Sequence, residues 1–243
     1  MQKSIKEVIE SKDFTLMGIE LRKCVLMGDL KHLKLLHEAG ADVNYYTKDK
    51  IFTTDTTALH IAANASYMEI VKYLLDNGSD AKIIDGLGNR AYHYAKANND
   101  IAIMKLIKEK DDKLFYEEDY CVNKLRKYNL PEETIEFLGS NNRKIDLEKS
   151  TFTDYILFCS VQDVRIFEWN DIIFVDLLFR VENYTEIGVI SWIPEKESFG
   201  CIDLEHNEFG LMKGMSWQDI ICDIDNIIDK SLSWEFSNNT NIF

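Results

Sequence analysis

Carboxylates are the most abundant side chains here that could do chemistry: 42 Asp and Glu stand against 28 Lys and Arg, with five His and five Cys. Pairs spaced for general acid–base work are therefore easy to find, such as Asp203 with Glu205 and Glu195 with Glu197, each two residues apart and so on one face of a strand. Their abundance weakens them, and solvated surface charge explains them. The chain has no Gly-x-Ser-x-Gly elbow, phosphate-binding glycine loop, His-Glu-x-x-His or calcium loop. His32, His37, His60, His93 and His206 are scattered, with no cysteine or carboxylate spacing that completes a zinc-type ligand set. Cys24, Cys121, Cys159, Cys201 and Cys222 are odd in number and lack a Cys-x-x-Cys pair, which predicts reduced thiols and a cytoplasmic setting. The expectation is a protein without catalysis, cofactor or metal.

The charge has a location. Residues 151–243 hold 17 acidic and five basic side chains, a net of −12, whereas residues 1–150 carry a net of only −2. A surface of that sign repels nucleic acid and suits a basic protein partner; the alternative is charge kept for solubility. No secretory h-region opens the chain, and its longest uncharged stretch, residues 56–68, is too short to span a bilayer. No membrane contact is expected, and a monomer or weak homodimer.

The elements that position these groups come from a repeat. Residues 57–74 (TALHIAANASYMEIVKYL) align without gaps on residues 90–107 (RAYHYAKANNDIAIMKLI), pairing His60 with His93, Ala62 with Ala95 and Ile70 with Ile103. Each copy predicts a short alanine-rich helix and a second helix striped with Ile70, Val71, Leu74 and Leu75 or their equivalents, ended by glycine as at Gly78. Residues 20–44 read as a worn first copy, with Leu21 for Leu59, Arg22 for His60 and Cys24 for Ala62. The period of 33 headed by Thr-x-Leu-His-x-Ala resembles the ankyrin repeat. That resemblance implies three stacked helix pairs, a histidine that ties each repeat to the next loop, and fingers that line a concave binding face. The family's proline at the first helix is replaced by Ala58 and Ala91, so the helix start rests on Thr57 and packing.

The first finger is longer than the second: Gly40 and Thr57 are 17 positions apart, Gly78 and Arg90 only 12. Its extra residues include Tyr45, Tyr46 and Phe52 beside Lys48, Asp49 and Lys50, an interface-like composition. Two readings stand open, an exposed contact loop or an insertion whose aromatics fold back on the repeats.

After the array, residues 114–128 predict a helix with Val122 and Leu125 inward, and Pro131 opens a second that closes at Gly139. Strand-like runs follow at 155–161, 164–169, 172–181, 187–193, 199–204 and 208–212. A final amphipathic helix starts at Ser216, with Asp219 three residues on and Ile220, Ile221, Ile224, Ile227 and Ile228 as its stripe. The tail 236–243 is expected to fray. Leu130, Pro131, Phe137 and Leu138, then residues 187–204 with Gly200, then Ser216–Trp217 resemble the SUKH superfamily. This chain has Asn141-Asn142 where that family has Asn-Gly, and lacks most of its glycine-rich hairpin. The resemblance implies a non-enzymatic domain used in bacteria for immunity against toxins, many of them nucleases.

The expected architecture is thus α followed by α+β: an ankyrin-type array over residues 1–113, an α+β domain with an antiparallel sheet and flanking helices over 114–235, and a tail. The expected function is protein binding, most specifically neutralisation of a basic toxin domain, with recruitment of an endogenous partner as the alternative. The expected contacts are Tyr45, Tyr46, Lys48 and Phe52 on the finger, and Asp171, Asp176, Glu182, Glu186, Glu195, Glu197, Asp203, Glu205 and Glu208 on the acidic half.

Overall fold

A computed structural model describes residues 4–184, 187–204 and 206–236. The expectations on Glu186, Glu205 and the tail beyond Phe236 lie outside the described residues. The chain divides into two compact units, residues 1–113 and 114–243.

The first unit is helical. A capping helix α1 (Ile5–Ser11) precedes three antiparallel pairs: α2 (Phe14–Leu26) with α3 (Leu30–Glu38), α4 (Ala58–Asn64) with α5 (Met68–Asp76), and α6 (Ala91–Ala97) with α7 (Ile101–Lys110). The fully buried Ala58, Ala62, Ala63, Ala91 and Ala95 let α4 and α6 lie close, while Leu33, Leu36, Ile70, Leu74, Ile103 and Ile107 fill the space against the second helices. Gly40 and Gly78 follow α3 and α5 at φ +98° and +89°, a conformation that glycine takes without a Cβ clash.

Without proline, α4 starts on a reciprocal cap. The Thr57 hydroxyl lies 2.7 Å and its N–H 3.2 Å from His60 Nδ1, so Nδ1 accepts. The opposite ring nitrogen, Nε2, then carries the proton and donates to Asn89 O at 3.1 Å, in the loop before the next helix pair. His93 repeats the first half of this device, its Nδ1 accepting from Arg90 N at 2.8 Å.

The second unit is α+β. Helices α8 (Glu118–Arg126) and α9 (Glu132–Gly139) lead into two antiparallel sheets, and α10 (Trp217–Cys222) and α11 (Ile224–Leu232) close it. The smaller sheet has the order β1-β2-β5: Lys144–Asp146, Tyr155–Phe158 and Leu178–Val181. The larger has the order β3-β4-β6-β7-β8: Arg165–Trp169, Ile172–Asp176, Ser191–Ile193, Ser198–Asp203 and Glu208–Leu211. An aromatic knot of Phe137, Phe158, Phe199 and Trp217, with neighbouring ring centroids 5.2–5.7 Å apart, joins α9, β2, β7 and α10.

Three expected elements are revised here. The run 172–181 is not one strand; the chain changes sheets at the buried Leu177, whose N–H donates to Ile190 O while its own carbonyl accepts from Cys159 N. Of 187–193 only the last three residues pair as a strand, and the final helix breaks at Asp223 into α10 and α11. The larger sheet is also curled. Strands β4 and β8 are three places apart, roughly 14 Å in a flat sheet, yet the Phe174 and Phe209 rings lie 5.8 Å apart and Asn170 reaches Asn207 across the two hairpin tips. Curling encloses Phe167, Phe174, Ile193, Ile202 and Phe209. The β3–β4 tip suits this, since Asn170 and Asp171 both hold positive φ, the pattern of a tight twisted two-residue hairpin turn.

His60 gives the array a pH dependence of defined sign. Burial lowers its folded pKa from the ordinary 6.5, and a proton on Nδ1 would face the Thr57 N–H. The unfolded imidazole takes up a proton near 6.5 and the folded one resists, so this contribution is complete above that value and lost as pH falls below it. Unfolding of the wild type and His60→Gln, compared between about pH 7.5 and about pH 5.5, should show a smaller acid loss in the variant; equal losses would refute the assignment.

Candidate protein-interaction surface

The long first finger, residues 44–56, is organised from inside by α2. Arg22 occupies the position that His60 holds in the next repeat, and its side chain is fully buried. Its Nη1 donates to Tyr46 O at 3.2 Å and Thr56 O at 2.9 Å, and its Nη2 to Thr47 O and Asp49 Oδ2 at 2.9 and 2.7 Å. The guanidinium lies 4.8 Å from the Tyr45 ring centroid and 4.4 Å from that of Phe52. A longer finger needs a longer, many-donor reach than imidazole provides, and arginine supplies it. One turn before Arg22 on α2, Gly18 leaves room for Tyr45; a Cβ there would sit 2.4 Å from the ring.

The finger is braced within itself and to its neighbour. Asp49 Oδ1 accepts from the N–H groups of Ile51 and Phe52, and Asp55 Oδ1 from that of Lys48. Asn44 bonds both Gly78 O and Asp80 N, and Gly86 N donates to Asp55 O, so the two fingers are knitted in series. In the second finger, Asp85 is buried and accepts from Leu87 N, Asn89 N and the Tyr94 hydroxyl.

These contacts sort the expected finger residues. Phe52 is buried and Tyr45 half-buried, both against Arg22, so the expectation that they form an exposed contact is corrected: cation–π stacking and apolar burial hold them inside. Tyr46 and Lys48 point to solvent. Ile51 and Ile84 join them, the exposures of Tyr46, Ile51 and Ile84 being 50%, 49% and 54%. Sequence reading passed over Gly18, Ile51 and Ile84; the 33-residue offset of Ile51 from Ile84 was the signal available.

On the second unit the acidic set divides. Asp176 is wholly buried and pairs with Arg165, directly across from it on β3, and accepts from Leu178 N at the point where the chain changes sheets. Burial pushes its pKa up, against the pull of Arg165. Asp203 is also buried, and its carboxylate caps the β7–β8 turn through His206 N at 2.9 Å and His206 Nδ1 at 2.6 Å. Neither is available to a partner, which corrects both assignments. Glu182 is half-buried. Asp171, Glu195, Glu197 and Glu208 are exposed, with Asp171 and Glu208 near the hairpin tips that meet at Asn170 and Asn207, and Glu195 accepting from Ile173 N. Among the described residues, no three His, Cys, Asp or Glu side chains gather as a metal site, and no helix is long and apolar enough to cross a membrane.

Stacked antiparallel helix pairs joined by projecting loops, with a polar group at the start of the first helix bonding the following loop, define a helical repeat array built for protein–protein contact. Residues 21–116 are ankyrin repeats, matching that family in three copies. The chain is 30% identical to the phosphocholine transferase AnkX of Legionella pneumophila over 46% of its own length and 12% of that protein's. It is 35% identical to the ankyrin repeat protein FPV022 of fowlpox virus over 52% of its own length and 20% of the relative's, and 36% identical to the ankyrin repeat protein L371 of Acanthamoeba polyphaga mimivirus over 36% and 11%. The chain thus spans a fifth or less of the length of these relatives.

Removing the buried guanidinium takes from Asp49 and three carbonyls the donor that joins them to α2. Arg22→Ala should lower the array's stability by about 3–5 kcal/mol in denaturant unfolding, and Gly18→Ala by about 1–3 kcal/mol through displacement of Tyr45. In both, amide exchange should rise over residues 45–56 more than over 79–89. Equal exchange in the two fingers would count against this anchoring.

Proposed function

We propose that this chain is a non-catalytic protein-binding protein that holds its partner on the two fingers of the ankyrin array. One observation carries the reading: Tyr46, Ile51 and Ile84 stand half-exposed on loops whose backbones are locked by Arg22, Asp49, Asn44 and Asp85. Side chains presented on preordered loops lose little further entropy on binding, so their apolar area converts more fully into affinity. The sequence resemblance to ankyrin arrays supports the same use of these loops.

A more specific reading is immunity in the bacterial cytoplasm, with the second unit covering the basic site of a cognate toxin, such as a nuclease. It is favoured by the excess of 17 acidic over five basic side chains in residues 151–243 and by the exposure of Asp171, Glu195, Glu197 and Glu208. It draws further support from Phe137, Leu138 and Trp217, three positions of the SUKH resemblance that lie in one core. Fields from such a surface speed capture of a cationic partner. Recruitment of an endogenous protein is the alternative, and the finger observation serves it equally.

Affinity capture from the native host with the wild type and with Tyr46→Ser/Ile51→Ser/Ile84→Ser should recover a partner that the triple variant loses; full retention by the variant overturns the finger reading. Co-expression with the toxin encoded beside the gene should protect cells, with protection reduced by Glu195→Lys/Glu208→Lys. Absence of both binding and protection removes the immunity reading while leaving the finger reading to its own result.

A further inference from the structure

Around the apolar tips of the fingers the charges are sorted by direction. The carboxylates that accompany the apolar tips face inward: Asp49 is taken by Arg22 and two backbone N–H groups, Asp85 is buried beneath Tyr94 with two more, and Asp55 is half-buried and holds Lys48 N. Asp42 and Asp80 are exposed, but lie at the finger roots, each accepting from the N–H two residues on. The lysines face outward. Lys48, Lys50 and Lys82 are exposed, and among the described residues no ion pair takes up their ammonium groups. Lys48 and Lys50 lie between Tyr46 and Ile51 in sequence, and Lys82 precedes Ile84 on the neighbouring finger.

Three exposed apolar side chains, Tyr46, Ile51 and Ile84, thus share two neighbouring fingers with three lysines that no ion pair takes up among the described residues. We infer that the fingers are built for an acidic segment of a protein partner, in which an aromatic or aliphatic side chain is flanked by Asp or Glu. This rests on the finger reading given above and sharpens it to a partner chemistry. An apolar anchor covers one or more of these side chains, and its flanking carboxylates meet Lys48, Lys50 and Lys82. A basic segment would meet like charge at the same three positions, the repulsive element that separates partners of equal shape. Nucleic acid is disfavoured because the chain as a whole carries −14 and three lysines are a small footprint against phosphate.

A random peptide library displayed on phage and selected on the immobilised full chain tests this. The expected result is enrichment of net-acidic peptides containing an aromatic or aliphatic residue. A synthetic peptide of the enriched sequence should bind Lys48→Glu/Lys50→Glu/Lys82→Glu about tenfold more weakly than the wild type, with affinity falling as salt rises. If the enriched peptides are neutral or basic, and bind the lysine variant normally but Tyr46→Ser/Ile51→Ser/Ile84→Ser poorly, the acidic chemistry is overturned and the finger reading stands. If no peptide is enriched, or binding ignores both variants, both are overturned.

Discussion

A single buried cation sets the shape of the array's long finger. Arg22 replaces water for three main-chain carbonyls and one carboxylate of a loop more than twenty residues further along the chain, while its planar faces take Tyr45 and Phe52. Desolvating a guanidinium is expensive, and these four acceptors offset the cost although its buried Nε has no hydrogen-bond partner among the described residues. The finger's backbone follows a path that presents all four acceptors to it. Everything exposed on that finger, Tyr46 and Ile51 included, inherits its position from this path, and the second finger inherits it through Asn44 and the Asp55–Gly86 bond. His60 does the same work for the shorter second finger with one donor, Nε2, because there the gap to Asn89 is small enough for a single hydrogen bond.

The second unit uses the same physics at a different kind of joint. Where the chain leaves the five-stranded sheet for the three-stranded one, Asp176 and Arg165 form a buried pair, and Asp176 also bonds the first amide of the next strand. The pair marks the point where the chain passes from one sheet to the other. Curling of the larger sheet then gives its second face a core of its own, so both faces are buried without a second layer of helices.

Much of this was legible in the sequence. The 33-residue offset revealed two repeats and a 38-residue offset the worn first copy, and the positions of Thr57, Gly78 and the isoleucine stripes placed the helices, because helix periodicity and capping are local properties. The candidate site was read less well. Tyr45, Tyr46 and Phe52 are alike by composition, yet Arg22 draws two inward and leaves one in water. Asp176 and Asp203 were grouped with Glu195 and Glu208 by charge alone. Charge along a chain is additive, whereas burial depends on which strands meet, and Arg165 opposite Asp176 emerges only from the register of β3 on β4.

The sequence by itself determined the repeat, the helices, the strand-rich second half and the concentration of acid within it, since these follow from spacing and composition over short windows. The tertiary structure alone decided that the run 172–181 serves two sheets, that the long finger is anchored from α2 through Gly18 and Arg22, and that Tyr46, Ile51 and Ile84 are left exposed while Tyr45 and Phe52 turn inward. Those outcomes depend on contacts between residues tens of positions apart, where the free energy of burying one polar group is settled by partners that no local window contains.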